Sequence, residues 1–261
     1  MPHTPTLLSD CPALVLAGGL GKRLREAYDA GPKVLAPVAG RRFLEYLLLW
    51  LHDSGIRRVI LCIGYKGTQL ERWLGKGREY GLDVRYSSEA TPLGTAGAIK
   101  HAENLVHGDS FFALNGDSFL DVDLREMCRY HSSHSGVGTL AITSQSGSAR
   151  YGNVEMNRKG EIIRFAEKGP SGAANESSSS VSLINGGVYL LRKTFFDLIP
   201  RGRPVSIEQE VFPQLTDGRL HGFITNSYFV DIGIPADYER AQTELPEKLQ
   251  YDHTGKSPFT G

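Results

Sequence analysis

The sequence predicts an α/β protein, with three α/β/α layers built around a mainly parallel, mixed central sheet. Two observations carry this expectation. In the first half, short apolar or β-branched runs alternate with segments of helical apolar spacing, the pattern of βαβ units in a sheet covered on both faces. In the second half β-type runs predominate, so the sheet is expected to be mixed. In order, "ALVLA" (13–17) reads as a buried strand, "FLEYLLLWLHDSG" (43–55) as a helix ending on Gly55, "RVILCIG" (58–64) as a strand and "GTQLERWLG" (67–75) as a short helix. "DVRYS" (83–87) is a strand, "GTAGAIKHAENLV" (94–106) a helix, and "SFFALNGD" (110–117) a strand running into a loop. Further strands are "VGTLAIT" (137–143), "NVEMN" (153–157), "EIIRFAE" (161–167) and "GGVYLLR" (186–192). Short helices are expected at "TFFDLI" (194–199), "SIEQEVFPQL" (206–215) and "PADYERAQTEL" (235–245), and a flexible polar loop at 169–180.

No internal repeat or long linker divides the chain, so one domain over 1–261 is expected, with its core at about 12–242 and a polar tail at 246–261. Lys+Arg and Asp+Glu are equal at 29 each, which argues against bulk electrostatic binding to nucleic acid or an anionic membrane. The three cysteines, Cys11, Cys62 and Cys128, are widely spaced and form no CxxC pair, so neither a disulfide framework nor a zinc site is indicated. The N-terminus lacks the basic and apolar regions of a signal peptide, and "FLEYLLLWL" (43–51) is too short to span a bilayer. A cytoplasmic protein is the expectation. The histidines form no HxxxH or HExxH pair, and the serines at 177–180 lack a G-x-S-x-G elbow, so metallohydrolase and serine-hydrolase chemistry find no support.

In such sheets ligands gather at the carboxyl ends of the strands. The first of these ends is "PALVLAGGLGKRL" (12–24), where an apolar run breaks into glycines and two cations. A dinucleotide fingerprint starting at Gly19 reaches Leu24 where a small residue is needed. A P-loop would need glycine at Leu16 and a hydroxyl at Arg23. Alone, the loop is explained equally well as a glycine-rich turn with solvated cations. The next segment, "GPKVLAPVAG" (31–40), sets Lys33 between Pro32 and Pro37, which stiffen the chain around it.

Together, the glycine loop, Arg23 and the Pro-Lys-x-x-x-Pro segment resemble the signature of the sugar-phosphate nucleotidyltransferases, and the resemblance extends over roughly residues 12–242. It implies a Rossmann-like (GT-A-like) nucleotidyltransferase domain. By that resemblance Arg23, Lys33 and Asp117 are the catalytic residues. The nucleotide would be held by Leu16, Ala17, Gly18, Gly19, Gly21 and Lys22 from the first loop, with Glu89, Pro92, Gly94 and Thr95 from "EATPLGT" (89–95). A glycine pair between strand and helix is otherwise an ordinary cap. Glu89 would face the base edge. A carboxylate only accepts hydrogen bonds, and guanine offers two adjacent donors, so Glu89 leans towards GTP. A solvated surface acid is its plain alternative.

Asp117 in "LNGD" and Asp231 in "YFVDIGIPADY" each follow a strand-like run, and two carboxylates brought together in this way can hold Mg²⁺, with Mn²⁺ as a substitute. Asp121 and Asp123 rank below them as metal ligands. "AEKG" supplies Glu167 and Lys168, otherwise a surface ion pair, which the resemblance places on a sugar hydroxyl and the sugar phosphate. Gly152, Asn185, Gly186 and Glu208 complete the sugar-phosphate side; an amphipathic helix accounts for Glu208 equally well.

The implied reaction is attack of a sugar 1-phosphate on the α-phosphorus of a nucleoside triphosphate, expelling pyrophosphate. "PKVLAPVAGRRFLEYLL", "PLGTAGAIK", "LINGGVYLL" and "YFVDIGIPADY" look like the heptose 1-phosphate guanylyltransferase branch, which implies GTP and D-glycero-α-D-manno-heptose 1-phosphate as substrates and supply of GDP-heptose to capsule, lipopolysaccharide or S-layer glycans. Lys22, where many relatives carry Thr, and Gly169, where many carry Pro, depart from the pattern. The C-terminal β-helix of acetylating relatives, and with it acyltransferase activity, is not expected here. Uridylyl, cytidylyl or guanylyl transfer to a hexose or N-acetylmuramic acid 1-phosphate, and a non-catalytic nucleotide-sugar-binding subunit, are the alternatives. A homo-oligomer is compatible with the sequence.

Overall fold

The structure, a computed structural model, describes residues 8–19, 28, 31–145, 153–166 and 182–249. Strand β1 (Ala13–Leu16) is followed by a hairpin of β2 (Pro37–Val38) and β3 (Arg41–Arg42), helix α1 (Phe43–Ser54), β4 (Arg58–Ile63), α2 (Gly67–Leu74), β5 (Asp83–Ser88), α3 (Gly94–His101) and β6 (Ser110–Asn115). Then come β7 (Ser118–Leu120), α4 (Leu124–Ser132), β8 (Gly138–Gln145), β9 (Asn153–Met156), β10 (Ile162–Ala166), β11 (Ser182–Arg192), β12 (Leu220–Thr225), β13 (Phe229–Asp231) and α5 (Pro235–Leu249).

Among the described residues nine strands form one sheet, ordered β10-β9-β11-β6-β1-β4-β5, with β8 pairing on β11 and β12 on β8. β5, β4, β1 and β6 are mutually parallel, and only β10 and β11 run against the rest. The sheet is thus mainly parallel and mixed, as expected. Its central strands read as unbroken apolar runs because both faces are buried. Ala13 and Val15 of β1 point into one core with α1, α2, α4 and α5, while Leu14 points into the other with α3, Phe196 and Phe212. Two cores, one on each face, make the three layers.

The differences from the expected elements have local causes. The 94–106 helix stops at His101: the Ala102 amide is shared among the carbonyls of the preceding turn, and a 3-10 turn follows over Glu103–Leu105. The 206–215 helix becomes a wide turn over Ile207–Val211 and a 3-10 turn over Phe212–Leu215, since Pro213 has no amide to continue an α ladder. The segment at 194–199 is a 3-10 turn, Lys193–Leu198. α5 runs four residues past Leu245, to Leu249, and carries Pro246, so the start of the expected polar tail is helical. β11 begins at Ser182, earlier than expected, and β7 and β12 were not anticipated: one is three residues long and the other contains Gly222. The 169–180 loop lies outside the described residues.

Candidate active site

A cleft of about 330 Å³ opens over the carboxyl ends of β1, β4, β5 and β6. This is where parallel sheets place their ligands. Its floor carries Leu16, Ala17, Gly18 and Gly19 from the end of β1, and Asn115 and Asp117 from the end of β6.

The cationic end of the cleft is built by the proline-flanked segment. Pro32 (φ −56°, ψ 138°) leads into a 3-10 turn over Lys33–Leu35, closed by the Ala36 amide donating to the Lys33 carbonyl at 2.9 Å. The β2–β3 turn that follows forces Ala39 to φ +47°, a region costly for a side chain that is not glycine. α5 holds this turn in place: Gln242 accepts from the Ala39 amide at 2.8 Å and donates to the Pro37 carbonyl, which Tyr238 also reaches at 2.6 Å. Strain of this kind persists only where surrounding contacts fix it. The result is a lysine on a rigid mount, with its ammonium 2.7 Å from Asp117 Oδ2 and 3.8 Å from Asp231 Oδ1.

The two aspartates meet because β7 and β13 form a separate antiparallel ribbon that pairs Ser118 with Asp231. The Ile232 amide donates to the Asp117 carbonyl at 3.0 Å, which brings the two strand ends side by side. Asp231 Oδ1 accepts from the Gly233 amide at 2.7 Å. Burial, and then the neighbouring Asp117 carboxylate, push the Asp231 carboxyl up to about 6, with Lys33 opposing. Two partly buried carboxylates with one ammonium between them leave net negative charge and free oxygen lone pairs, a donor set suited to a hard dication. Among the described residues no group of three or more His, Cys, Asp or Glu is placed to hold a metal, so substrate oxygens would have to complete any coordination.

At the other end Glu89 follows β5, its amide donating to the Ile63 carbonyl at 2.9 Å. Its Oε2 accepts from the Leu93 amide at 3.1 Å. Its Oε1 lies over Gly18 and Gly64, where an added Cβ would come within about 3 Å of it. Glycine at both strand ends therefore makes room for this carboxylate. Burial raises the Glu89 carboxyl above its ordinary range, against the Leu93 amide, which lowers it. Glu89 and Pro92 both line the cleft.

The cleft's outer wall is α3 with the segment that precedes the wide turn. Val205 donates to the Leu93 carbonyl and accepts from the Ala96 amide, and a Cβ on Gly94 (φ +73°) would collide with the Val205 carbonyl. The Ala96 and Gly97 amides in the first turn of α3 are thus used internally. Thr95 donates to Glu208 Oε2 at 2.8 Å and accepts from the Ile207 amide at 2.8 Å, and Ser206 adds a second bond to the same carboxylate oxygen. Gly94, Thr95 and Glu208 all face the cleft.

Asn185 and Gly186 are absent from the cleft wall. Asn185 donates to the Tyr189 hydroxyl at 2.9 Å and accepts from the Gly187 amide at 3.0 Å, within a bulge where β11 loses register with β8. Its amide holds the strand's bend. Gly21, Lys22, Arg23, Gly152, Glu167 and Lys168 lie outside the described residues. Sequence reasoning missed Val34, Cys62, Ala98 and Asn115 as cleft residues. Asn115 could have been found, since it shares the strand-end position that singled out Asp117. Cys62 gives no such signal inside an apolar run, and burial with Glu89 pushes its thiol up to about 12, which removes it as a nucleophile.

A family model described as nucleotidyl transferase matches residues 12–248. The chain is 40% identical to a D-glycero-α-D-manno-heptose 1-phosphate guanylyltransferase from Aneurinibacillus thermoaerophilus, over 89% of this chain and 97% of that protein. It is 34% identical to a mannose-1-phosphate guanylyltransferase from Mycobacterium tuberculosis, over 89% of this chain and 64% of that longer protein. The crystal structure of HddC from Yersinia pseudotuberculosis complexed with GMP-PN superposes with a TM-score of 0.77 at 31% identity, over 90% of this chain and 99% of that one.

Proposed function

The chain belongs to the nucleotidyl transferase family, and within it we propose a guanylyltransferase that couples GTP with D-glycero-α-D-manno-heptose 1-phosphate to give GDP-heptose and pyrophosphate. The observation that carries the reading is one cleft with a hydrogen-bond-accepting carboxylate, Glu89, at one end and the Lys33–Asp117–Asp231 cluster at the other. The relatives named as heptose and mannose 1-phosphate guanylyltransferases support the nucleotide and the sugar class. GDP-heptose made in this way would serve glycan assembly of the capsule, lipopolysaccharide or S-layer type.

The chemistry asks for position and charge more than for proton transfer. A phosphate monoester has its second pKa at about 6, so the attacking oxygen is already anionic near neutrality and needs no general base. Glu89 would accept from guanine N1–H and its 2-amino group, while uracil presents one donor between two carbonyls. Lys33, on its fixed mount, would place its ammonium at the α-phosphate, where charge grows as the bond to pyrophosphate breaks. Arg23 and the glycine loop would hold the β- and γ-phosphates. Asp117 and Asp231 would hold Mg²⁺. That ion, when bound, would neutralise phosphate charge and polarise the reacting phosphoryl group. Glu208, fixed by Thr95 and Ser206, would face the sugar side. Bringing two polyanions together in a fixed geometry is where such enzymes gain most of their rate.

The test is a panel of four nucleoside triphosphates against mannose, glucose and D-glycero-α-D-manno-heptose 1-phosphates, followed by pyrophosphate release. Turnover is expected with GTP and the heptose 1-phosphate. Turnover with UTP but not GTP would overturn the nucleotide; preference for mannose 1-phosphate would overturn the sugar.

A further inference from the structure

Lys33 stands where the proposed reaction needs something else to stand. Its ammonium lies between the two carboxylates assigned to the metal, 2.7 Å from one and 3.8 Å from the other, and its side chain is only 12% exposed. The place is shaped for that ammonium. Gly233, directly after the strand that carries Asp231, has no side chain, and a Cβ built on it would fall on the Lys33 ammonium and 2.7 Å from Asp231 Oδ1. Gly233 is not among the glycines with positive φ, so the backbone does not call for glycine here. The space does.

A monovalent ammonium and a divalent ion compete for one carboxylate pair. At such range, in a partly buried site, their repulsion opposes the attraction each has for the aspartates. Lysine, however, is a point charge on a four-carbon stem and can exchange one set of anionic oxygens for another. From these contacts we infer that Lys33 is a resident counterion: the free protein keeps out the bare divalent cation, and the metal enters only as its complex with a nucleoside triphosphate. The arriving phosphate oxygens give the ammonium new partners as the metal takes its old ones. Lys33 and Gly233 together set the site's selectivity for the metal–nucleotide complex over the free metal. The inference rests on the reading of Asp117 and Asp231 as metal ligands.

Two variants separate the parts. Lys33→Met removes the counterion. Gly233→Ala keeps the lysine but fills its place. The ammonium lies at the far end of a flexible side chain and can swing away, but the same Cβ also presses on Asp231 Oδ1, so Lys33→Met carries the test and Gly233→Ala supports it. Mn²⁺ binding is followed by the magnetic resonance signal of the free ion, with no sugar phosphate, with and without GTP. Wild type is expected to bind Mn²⁺ weakly alone and well with GTP. Lys33→Met should bind Mn²⁺ alone on the order of tenfold tighter than wild type, since a unit charge a few ångströms from the incoming dication is gone. Gly233→Ala should shift in the same direction by less, because its Cβ also crowds Asp231. The inference is overturned if Lys33→Met binds Mn²⁺ alone no better than wild type while wild type takes it up with GTP. If Asp231→Asn leaves Mn²⁺ uptake with GTP unchanged, the metal-ligand reading itself fails and the role of Lys33 with it.

Discussion

Two clusters of titratable side chains sit at opposite ends of the large sheet's long strands, and they were built to different ends. The Lys33–Asp117–Asp231 cluster faces the cleft, holds like charges side by side and leaves Asp117 43% exposed. The other joins His131 of α4, His134, and His221 of β12 around Thr139 of β8. There the Thr139 hydroxyl meets His131 Nδ1 at 2.7 Å and His134 Nε2 at 2.8 Å, and the His134 and His221 rings stack at 3.8 Å. The Gly136 amide donates to His134 Nδ1, and Arg192 ties the same turn through the carbonyls of His131, His134 and Gly136. Burial perturbs both clusters: it raises Asp231 to about 6 and pulls His134 down to about 3. Desolvation alone therefore does not mark a functional site. The difference is that the histidine cluster closes around Thr139 and Gly136 with the His134 ring held neutral, although His221 Nδ1 is left without a hydrogen-bond partner among the described residues. The carboxylate cluster instead keeps charge and open coordination towards a cleft.

The sharpest way to break that contrast is Asp117→Ala. Loss of turnover on the order of a thousandfold is expected from removing one electrostatic anchor of the reacting groups. Because the variant also relieves carboxylate repulsion, its thermal midpoint should be unchanged or higher than wild type. A variant that unfolds early, or one that keeps full pyrophosphate release, would put this cluster in the structural class with the histidines.

A pH series follows, with opposite signs at the two places. Asp231 must be ionised to hold a metal, so affinity for the metal–GTP complex should fall about tenfold for each pH unit below its value of about 6. In stability the same group acts the other way. The folded state holds its proton up to about 6 and the unfolded chain only to about 3.8, so ionisation costs stability as pH rises through that window. For His134 the unfolded chain takes up a proton below about 6.5 and the folded state only near 3, so stability is lost as pH falls through that window. Calorimetry on wild type and Asp231→Asn between pH 4 and 7 checks both signs; a binding profile flat down to pH 5 would contradict the Asp231 assignment.

The smallest effect is expected from His134→Ala. Losing two hydrogen bonds and a stacked ring should cost about 1–3 kcal/mol, or roughly 2–4 °C of thermal midpoint per kcal/mol for a chain of this size. Pyrophosphate release at pH 7.5 should be unaltered. Lost turnover at unchanged stability would give the histidines a function the geometry does not suggest.

Much of this was written locally. The apolar runs at 13–17, 58–64 and 110–117 and the helix closed by Gly55 (φ +108°) came out within a residue or two, because strand burial and a left-handed cap act over short stretches. The residues at strand ends were also legible, since glycine, proline and aspartate there have few other uses. Asn185 shows the limit. A polar residue beside two glycines in an apolar run reads as a ligand contact, and only the structure shows that its side chain pins a strand bulge.

By itself, then, the sequence determined the alternation of strands and helices, the two-sided sheet and the side chains placed at its carboxyl edge, all products of short-range pattern and backbone chemistry. Only the tertiary structure decided which of those side chains meet. Lys33 reaches Asp117 across 84 residues and Thr95 reaches Glu208 across 113. Of the histidines that the sequence leaves scattered, His131 and His134 close on one threonine and His221 stacks on His134. Such contacts follow from sheet order and from the register of the β7–β13 ribbon. Those are set by how whole faces bury against one another, and no stretch of a few residues contains that information.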